Sequence, residues 1–250
     1  MSQKQSQAKS DRLITVVMID SRSEEHPDWV QMAINSVKMQ SYPVEFIGVN
    51  NVGRKHTIGE CFNDAVSHVK TPWVLFLGDD DWLSRDYCYT LAQFAQDPKL
   101  SQMVAITTPM TVFREGSQEG YQHLHRPCTG MWRTEYLRKH PFNERLEKGV
   151  DREYIEEVEK RGDPKIMIHY HSGYHYRQHD DYSCAGKINL QLEPGEVYVN
   201  SRYPVHVSSI TERLKKHFSV TLDNHPFNPA SVNGAKLMFC DWGNENASRS

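Results

Sequence analysis

The stretch with the clearest chemical potential is Trp73-Val74-Leu75-Phe76-Leu77-Gly78-Asp79-Asp80-Asp81-Trp82, in which an apolar run leads into three consecutive carboxylates. An unbroken apolar run of this length, bounded by Pro72 and Gly78, predicts a strand buried on both faces, as in parallel sheets. Ligands of open α/β sheets bind beyond the carboxyl ends of the strands, which is where these acids stand. Adjacent carboxylates repel one another, and a hard divalent cation bound by oxygen is the least costly way to neutralise them. The run therefore implies a metal site for an anionic, phosphorylated ligand. The structural alternative is an acidic turn that caps the next helix, with Asp81 or Ser84 as the N-cap.

Two further apolar runs precede this one. Leu13-Ile14-Thr15-Val16-Val17-Met18-Ile19 predicts a buried strand ending in Asp20-Ser21-Arg22, and Val44-Glu45-Phe46-Ile47-Gly48-Val49 predicts another ending in Asn50-Asn51. Between them, Pro27 at a helix N1 position opens a helix with Val30, Ala33, Ile34 and Val37 at helical spacing, and Pro43 ends it. Thr57 to Val69 gives a second helix with Ile58, Cys61, Phe62, Ala65 and Val69 on one side. Strand, helix, strand, helix, strand with short links means right-handed crossovers and a parallel sheet, with the polar strand ends gathered near one edge. That is a nucleotide-binding type of half-domain.

Further on, the sequence predicts a helix over 86–94 and a strand over 103–113. A charged helix follows over 144–161, with Tyr154, Ile155 and Val158 as a narrow apolar stripe. Residues 165–178 alternate as a strand, placing His169, His171, His175, Arg177 and His179 on one face and Tyr170, Tyr174 and Tyr176 on the other. Ser209 to Phe218 reads as a helix, with Ser209 and Glu212 spaced as a capping box.

Composition narrows the class. With 38% hydrophobic and 10% aromatic residues in 250, the chain has ample material for a core. A net charge of -3 gives no global basic field, so any nucleic-acid contact must come from a local patch. The five cysteines show no C-x-x-C pairing, which argues for a reducing compartment and against a zinc ribbon or disulfide framework. Residues 1–11 read as a flexible polar leader with no apolar signal region, and no stretch approaches the ~18 apolar residues of a membrane span. The expected location is cytoplasmic, in a bacterial cell or a virus-infected host cell.

Several segments, in order over roughly 13–185, resemble the family 2 glycosyltransferases with the GT-A fold. Ala33-Ile34-Asn35-Ser36-Val37-Lys38-Met39-Gln40-Ser41-Tyr42 is similar to the family's "al-Svl-Q-y" segment, and Asn50-Asn51 stands where the family usually has acids. Asn63-Asp64-Ala65 resembles its "N-x-a" helix, with Phe62 where an Arg often precedes. Leu77-Gly78-Asp79-Asp80-Asp81-Trp82 resembles the D-x-D metal motif, commonly L-D-x-D-D, with Gly78 replacing the first acid. The working pair is thus either Asp79 with Asp81 or Asp80 with Asp81. Phe142-Asn143-Glu144-Arg145-Leu146 and Gly149-Val150-Asp151 resemble "F-D-E-x-L... G-E-D", whose last acid is the family's catalytic base; Val150 replaces its acidic neighbour. Tyr176-Arg177-Gln178-His179, with Ser183, resembles "Y-R-x-H-x-x-x-S", whose His completes the metal shell in some relatives.

The resemblance implies a GT-A, Rossmann-like α/β domain over 12–185 with a mostly parallel central sheet flanked by helices, and a C-terminal extension over 186–250 packing on it. It implies a metal-dependent, inverting transfer from a nucleotide-sugar, probed first as a UDP-sugar, to an acceptor hydroxyl. Mn²⁺ or Mg²⁺ is the cofactor, with Asp79, Asp81 and His179 as metal ligands and Asp151 as base. Asp20, Ser21, Arg22, Asn50, Arg54, Lys55, Asn63, Asp79 and Asp80 are the implied donor contacts. Trp132 and His123 are placed to stack on the acceptor, which is a glycan, a lipid carrier or a hydroxymethylated base in DNA, as in bacteriophage DNA modification. Of the rival readings, a sugar nucleotidyltransferase needs a Gly-rich turn after the first strand, where this chain has Asp20-Ser21-Arg22-Ser23-Glu24-Glu25. A non-catalytic nucleotide-sugar-binding module is the other.

Overall fold

A computed structural model describes residues 12–108, 110–114, 120–123, 129–169, 173–179, 196–200 and 237–239. The expected leader, the helix over 209–218, Ser183, His171 and the boundary at 185 lie outside these. The first half is the predicted βαβαβ unit: β1 (Ile14–Asp20), α1 (Pro27–Lys38), β2 (Glu45–Asn50), α2 (Ile58–His68) and β3 (Trp73–Gly78). Its punctuation is local and strong. Pro27 stands in the first turn of α1, and Thr57 caps α2 in a reciprocal capping box with Glu60. β1 lies between β2 and β3, parallel to both, so the carboxyl ends of all three emerge together.

Successive side chains of a strand point to opposite faces, so β1 and β3 feed two cores. Ile14, Val16, Met18, Trp73, Leu75 and Leu77 pack with Val30, Ala33 and Val37 of α1 and with Leu91 and Phe94 of α3 (Tyr87–Ala95). Val17, Val74 and Phe76 pack on the other side with Ala65 and Val66 of α2, Leu137 of α4 (Thr134–Lys139), and Val150, Tyr154, Ile155 and Val158 of α5 (Val150–Arg161). The result is helix, sheet, helix in three layers.

Beyond β3 the large sheet continues through β8 (Gly130–Arg133), β5 (Ala105–Thr107), β9 (Lys165–His169), β11 (Glu196–Asn200) and β12 (Leu237–Phe239), in that spatial order. β8 runs antiparallel to both neighbours and β11 antiparallel to β9, while the remaining neighbours are parallel. A second sheet, ordered β4-β10-β6-β7, is made of β4 (Trp82–Leu83), β10 (Tyr174–Gln178), β6 (Met110–Arg114) and β7 (Gly120–His123).

The expected strand over 103–113 is therefore two strands, β5 and β6, in different sheets, and the one over 165–178 divides likewise into β9 and β10. Strand propensity does not mark where a chain changes sheet. Within β10 the alternation is as read, with Tyr174 and Tyr176 against the core. The charged helix starts at Val150 because Gly149, at φ 71°, holds the left-handed conformation that ends helical winding toward 144. Among the described residues no helix is long and apolar enough to cross a membrane.

Candidate active site

The acids sit on the turn between β3 and β4, closed by Asp81 N–H donating to Gly78 O at 3.2 Å. Each has its own partners. The β1–β3 register sets Ile19 opposite Gly78, which brings Ser21 and Arg22 beside Asp79. Asp79 Oδ2 accepts from Ser21 N at 2.7 Å and from Ser21 Oγ at 2.9 Å, and Oδ1 pairs with the Arg22 guanidinium. Asp81 accepts from the Tyr174 hydroxyl at 2.7 Å and from Arg177 N at 2.9 Å. These two carboxylates are 2% and 4% exposed, and the five bonds to them hold them as parts of the frame. Asp80 differs: its Oδ2 faces His179 Nε2 at 2.9 Å and Arg22 Nη2 at 3.5 Å.

Gly78, where the family resemblance puts an acid, has a steric explanation. A Cβ there would lie 2.7 Å from both Asp80 Oδ1 and Asp81 Oδ2, so the neighbouring carboxylates fill the space of the missing side chain.

The electrostatics divide the three acids. Burial, with repulsion from Asp80, pushes Asp81 well above the usual carboxylate range against the bonds from Arg177 and Tyr174. Asp79 is raised by burial, tempered by Arg22. Asp80 is lowered, because the hydrogen bond from His179 and the Arg22 charge outweigh its burial. Arg22, although burial works against its charge, is raised by Asp80 and Asp79. Asp80 is thus the acid kept anionic at the rim.

Tyr174 and Arg177 are site residues whose roles the motifs did not announce. The Tyr174 hydroxyl also accepts from Gly78 N at 3.1 Å, and Arg177 Nε donates to Asp80 O at 3.0 Å, so both fasten the acid turn to β10. The Arg177 guanidinium lies 4.7 Å from the Trp29 ring centroid and 5.4 Å from that of Trp82. Trp29 is stacked by His26 at 3.7 Å and lies 4.9 Å from His179. The alternation over 174–178 was the available signal for these contacts.

Among the described residues no group of three or more His, Cys, Asp or Glu side chains is placed to hold a metal ion by itself. A pair is. Two adjacent ligands of an octahedral cation with bonds of about 2.1 Å stand about 3.0 Å apart, and the Asp80 Oδ2 to His179 Nε2 separation is 2.9 Å. Hard cations in phosphate sites are commonly held by one or two protein ligands, with substrate phosphates and water completing the shell. The Asp80 carboxylate suits such a cation, and the His179 imidazole would add one nitrogen donor.

The other expected site residues fall into three groups. Asp20 and Asn50 end β1 and β2, and each accepts a local backbone N–H, from Ser23 and Val52 at 3.0 Å. Arg54 and Lys55 lie in the exposed loop after β2, and Arg54 stands 3.4 Å from Glu25 in a surface pair. Asp151 is half-buried in the first turn of α5, next to Val150, which shares a core with Phe76 of β3. Asn63 is bonded to Phe142 and Glu144. His123 ends β7, in register with Met110. Trp132 corrects its expectation: at 1% exposure it packs with Tyr136 and Tyr154 in the core and cannot stack on an acceptor. It lies mid-sheet in β8, and an aromatic residue in a strand reads alike whether it faces core or ligand.

A mostly parallel sheet between helices, carrying acids at the carboxyl end of a central strand beside a small second sheet, defines the GT-A class of α/β nucleotide-binding folds. Residues 5–158 match the model of glycosyl transferase family 2, and the chain belongs to that family. No curated protein matches it. Among solved structures, S. aureus TarS 1-349 in complex with UDP-GlcNAc is similar at a TM-score of 0.53 and 14% identity, over 86% of this chain and 67% of that one. TarS 1-349 alone gives 0.51 and 15%, over 66% and 60%. The longer TarS chain is matched over only 36% of its length, at a TM-score of 0.50. These likenesses show the fold.

Proposed function

We propose that the protein transfers a sugar from a nucleotide-sugar, a UDP-sugar in the first instance, to an acceptor hydroxyl with inversion, using a divalent cation. The observation that carries this reading is the 2.9 Å pairing of Asp80 with His179 at the end of β3. Support for the donor comes from the UDP and UDP-GlcNAc complexes of TarS, which shares the fold.

Asp80 and His179 would hold the cation, in place of the Asp79 and Asp81 of the motif-based reading, with Asp79 and Asp81 supporting the turn through their bonds to Ser21, Arg22, Tyr174 and Arg177. When bound, Mg²⁺ or Mn²⁺ supplies Lewis-acid neutralisation of the departing diphosphate. Arg22, held by Asp79, adds a fixed positive charge at the same rim. Asp20 and Asn50 flank the nucleoside, with Arg54 and Lys55 as outlying cations beside the diphosphate. An acceptor hydroxyl is far too weak an acid to ionise at neutral pH, so a carboxylate must take its proton as the new bond forms. Asp151 fills that role, and one displacement with one base inverts the anomeric centre. Residues 12–185 form the catalytic domain, and 186–250 an extension whose β11 and β12 continue its large sheet.

The test is titration of UDP with and without Mn²⁺. Asp80→Asn and His179→Ala are expected to lose the Mn²⁺-dependent part of the affinity, and equal affinity in chelator and Mn²⁺ for the wild type would overturn the reading. Release of UDP from UDP-sugars, with glycan, lipid-linked and hydroxymethylated-DNA acceptors offered in turn, assigns the acceptor. Asp151→Asn should lower kcat by about 10²- to 10⁴-fold and leave the donor Kd in place.

A further inference from the structure

The side-chain amide of Asn63, in the middle of α2, is committed to the protein itself. Nδ2 donates to Phe142 O at 3.0 Å and to Glu144 Oε1 at 2.8 Å, and Oδ1 accepts from Phe142 N at 2.9 Å. One amide thus closes a ring with the N–H and C=O of a single residue, and both of its own N–H groups are engaged. The same helix grips this segment twice more. Thr57 Oγ1 donates to Glu144 O at 2.9 Å. A Cβ on Gly59 would stand 2.5 Å from Asn143 O, so helix and segment meet backbone to backbone at a point that admits no side chain.

On its other side the segment is tied to α5. Tyr154 donates to His140 O at 2.9 Å, Asn143 Nδ2 donates to Glu153 Oε1 at 3.2 Å, and the Phe142 ring lies 4.3 Å from that of Tyr154. Phe142 also packs 5.4 Å from Phe76 of β3, whose strand ends in the acid turn. The partners on α5 are the second and third residues after Asp151. We infer that Asn63 is a positioning residue: it fixes segment 140–144 between α2 and α5 and thereby sets where Asp151 stands relative to the acid turn. This rests on the reading of Asp151 as the base.

The test is a double-mutant cycle on the full chain, following hydrolysis of UDP-glucose and UDP-N-acetylglucosamine with Mn²⁺, alongside UDP binding. Asn63→Ala is expected to lower kcat about 10- to 100-fold, the scale of a misplaced catalytic group, with UDP Kd changed less than about twofold. Asn63→Asp, which keeps the acceptor for Phe142 N–H, serves if the alanine variant fails to fold. In an Asp151→Asn background the Asn63 substitution should cause no further loss, since its effect passes through Asp151. Multiplying losses would overturn the inference, and so would weakened UDP binding, which would return Asn63 to the donor. An Asp151→Asn protein at the wild-type rate would instead remove the base. Hydrogen exchange gives an activity-free readout: Asn63→Ala should speed the amides of Phe142 and of 153–156, the first hydrogen-bonded amides of α5, about tenfold or more with β1 and β3 unchanged, and undisturbed exchange at 153–156 would overturn the inference.

Discussion

At the scale of single residues, three chemically identical side chains acquire three different states from the atoms that donate to them. That the acids form a site was legible, because three carboxylates at the end of an apolar run have few other uses. Which of them faces a ligand was not, since Tyr174 and Arg177 bond to Asp81 from 93 and 96 positions away. The state of Asp81 is testable. Burial raises its pKa, so the folded protein binds this proton more tightly than the unfolded chain. Stability then falls as pH rises from the unfolded carboxylate value, about 3.9, upward through the raised native value. Asp80, lowered in the fold, works in the opposite sense, stabilising above about 3.9 and losing that contribution as pH falls. In chelator, Asp81→Asn should therefore show a smaller decline of stability toward neutral pH than wild type, measured by urea unfolding at a series of pH values. An unaltered pH profile would mean that Asp81 is not strained by its burial. Cys88 offers a second check, because burial pushes its thiol far up: alkylation mapped by mass spectrometry should miss Cys88 in the native protein and find it after unfolding.

At the scale of elements, what was legible is what is encoded locally. Pro27 and the Thr57–Glu60 box mark helix starts, and apolar runs mark strands buried on both faces, so the βαβαβ unit could be read before any tertiary contact was known. The second half mixes two sheets. Thr107 pairs with β8 and Met110 with β10; Pro109 between them, which has no N–H to give to a ladder, is the local mark of the break, but it does not say which sheet the chain joins next. Trp132 shows the consequence, for with β8 unrecognised as the strand between β3 and β5 its ring looked available. Its place in the core makes a definite prediction. Trp132→Ala should destabilise the fold by about 3–5 kcal/mol, as for other buried aromatic deletions, seen as a lowered urea midpoint. A midpoint within error of wild type would show that the ring is not a core element.

At the scale of the whole molecule, the arrangement joins regions far apart in sequence through one turn: the end of β1 supplies Ser21 and Arg22, β3 supplies the acids, and β10 supplies Tyr174, Arg177 and His179. Only the first two belong to the βαβαβ unit, so the metal-facing pair links the early half of the chain to the late one. A ligand that bridges Asp80 and His179 therefore reports on the assembled fold, because neither half alone presents both groups. Binding to the native state alone stabilises by about 2.7 kcal/mol at a free ligand concentration one hundred times Kd. UDP with Mn²⁺ should accordingly raise the unfolding temperature of the full chain clearly more than UDP in chelator or Mn²⁺ alone. The increment should vanish in Asp80→Asn and in His179→Ala, since each removes one side of the bridge. It should persist in Asp151→Asn, where the donor contacts are intact. A shift with UDP alone that neither Mn²⁺ nor Asp80→Asn alters would mean that Arg22 and its neighbours carry the diphosphate without a cation.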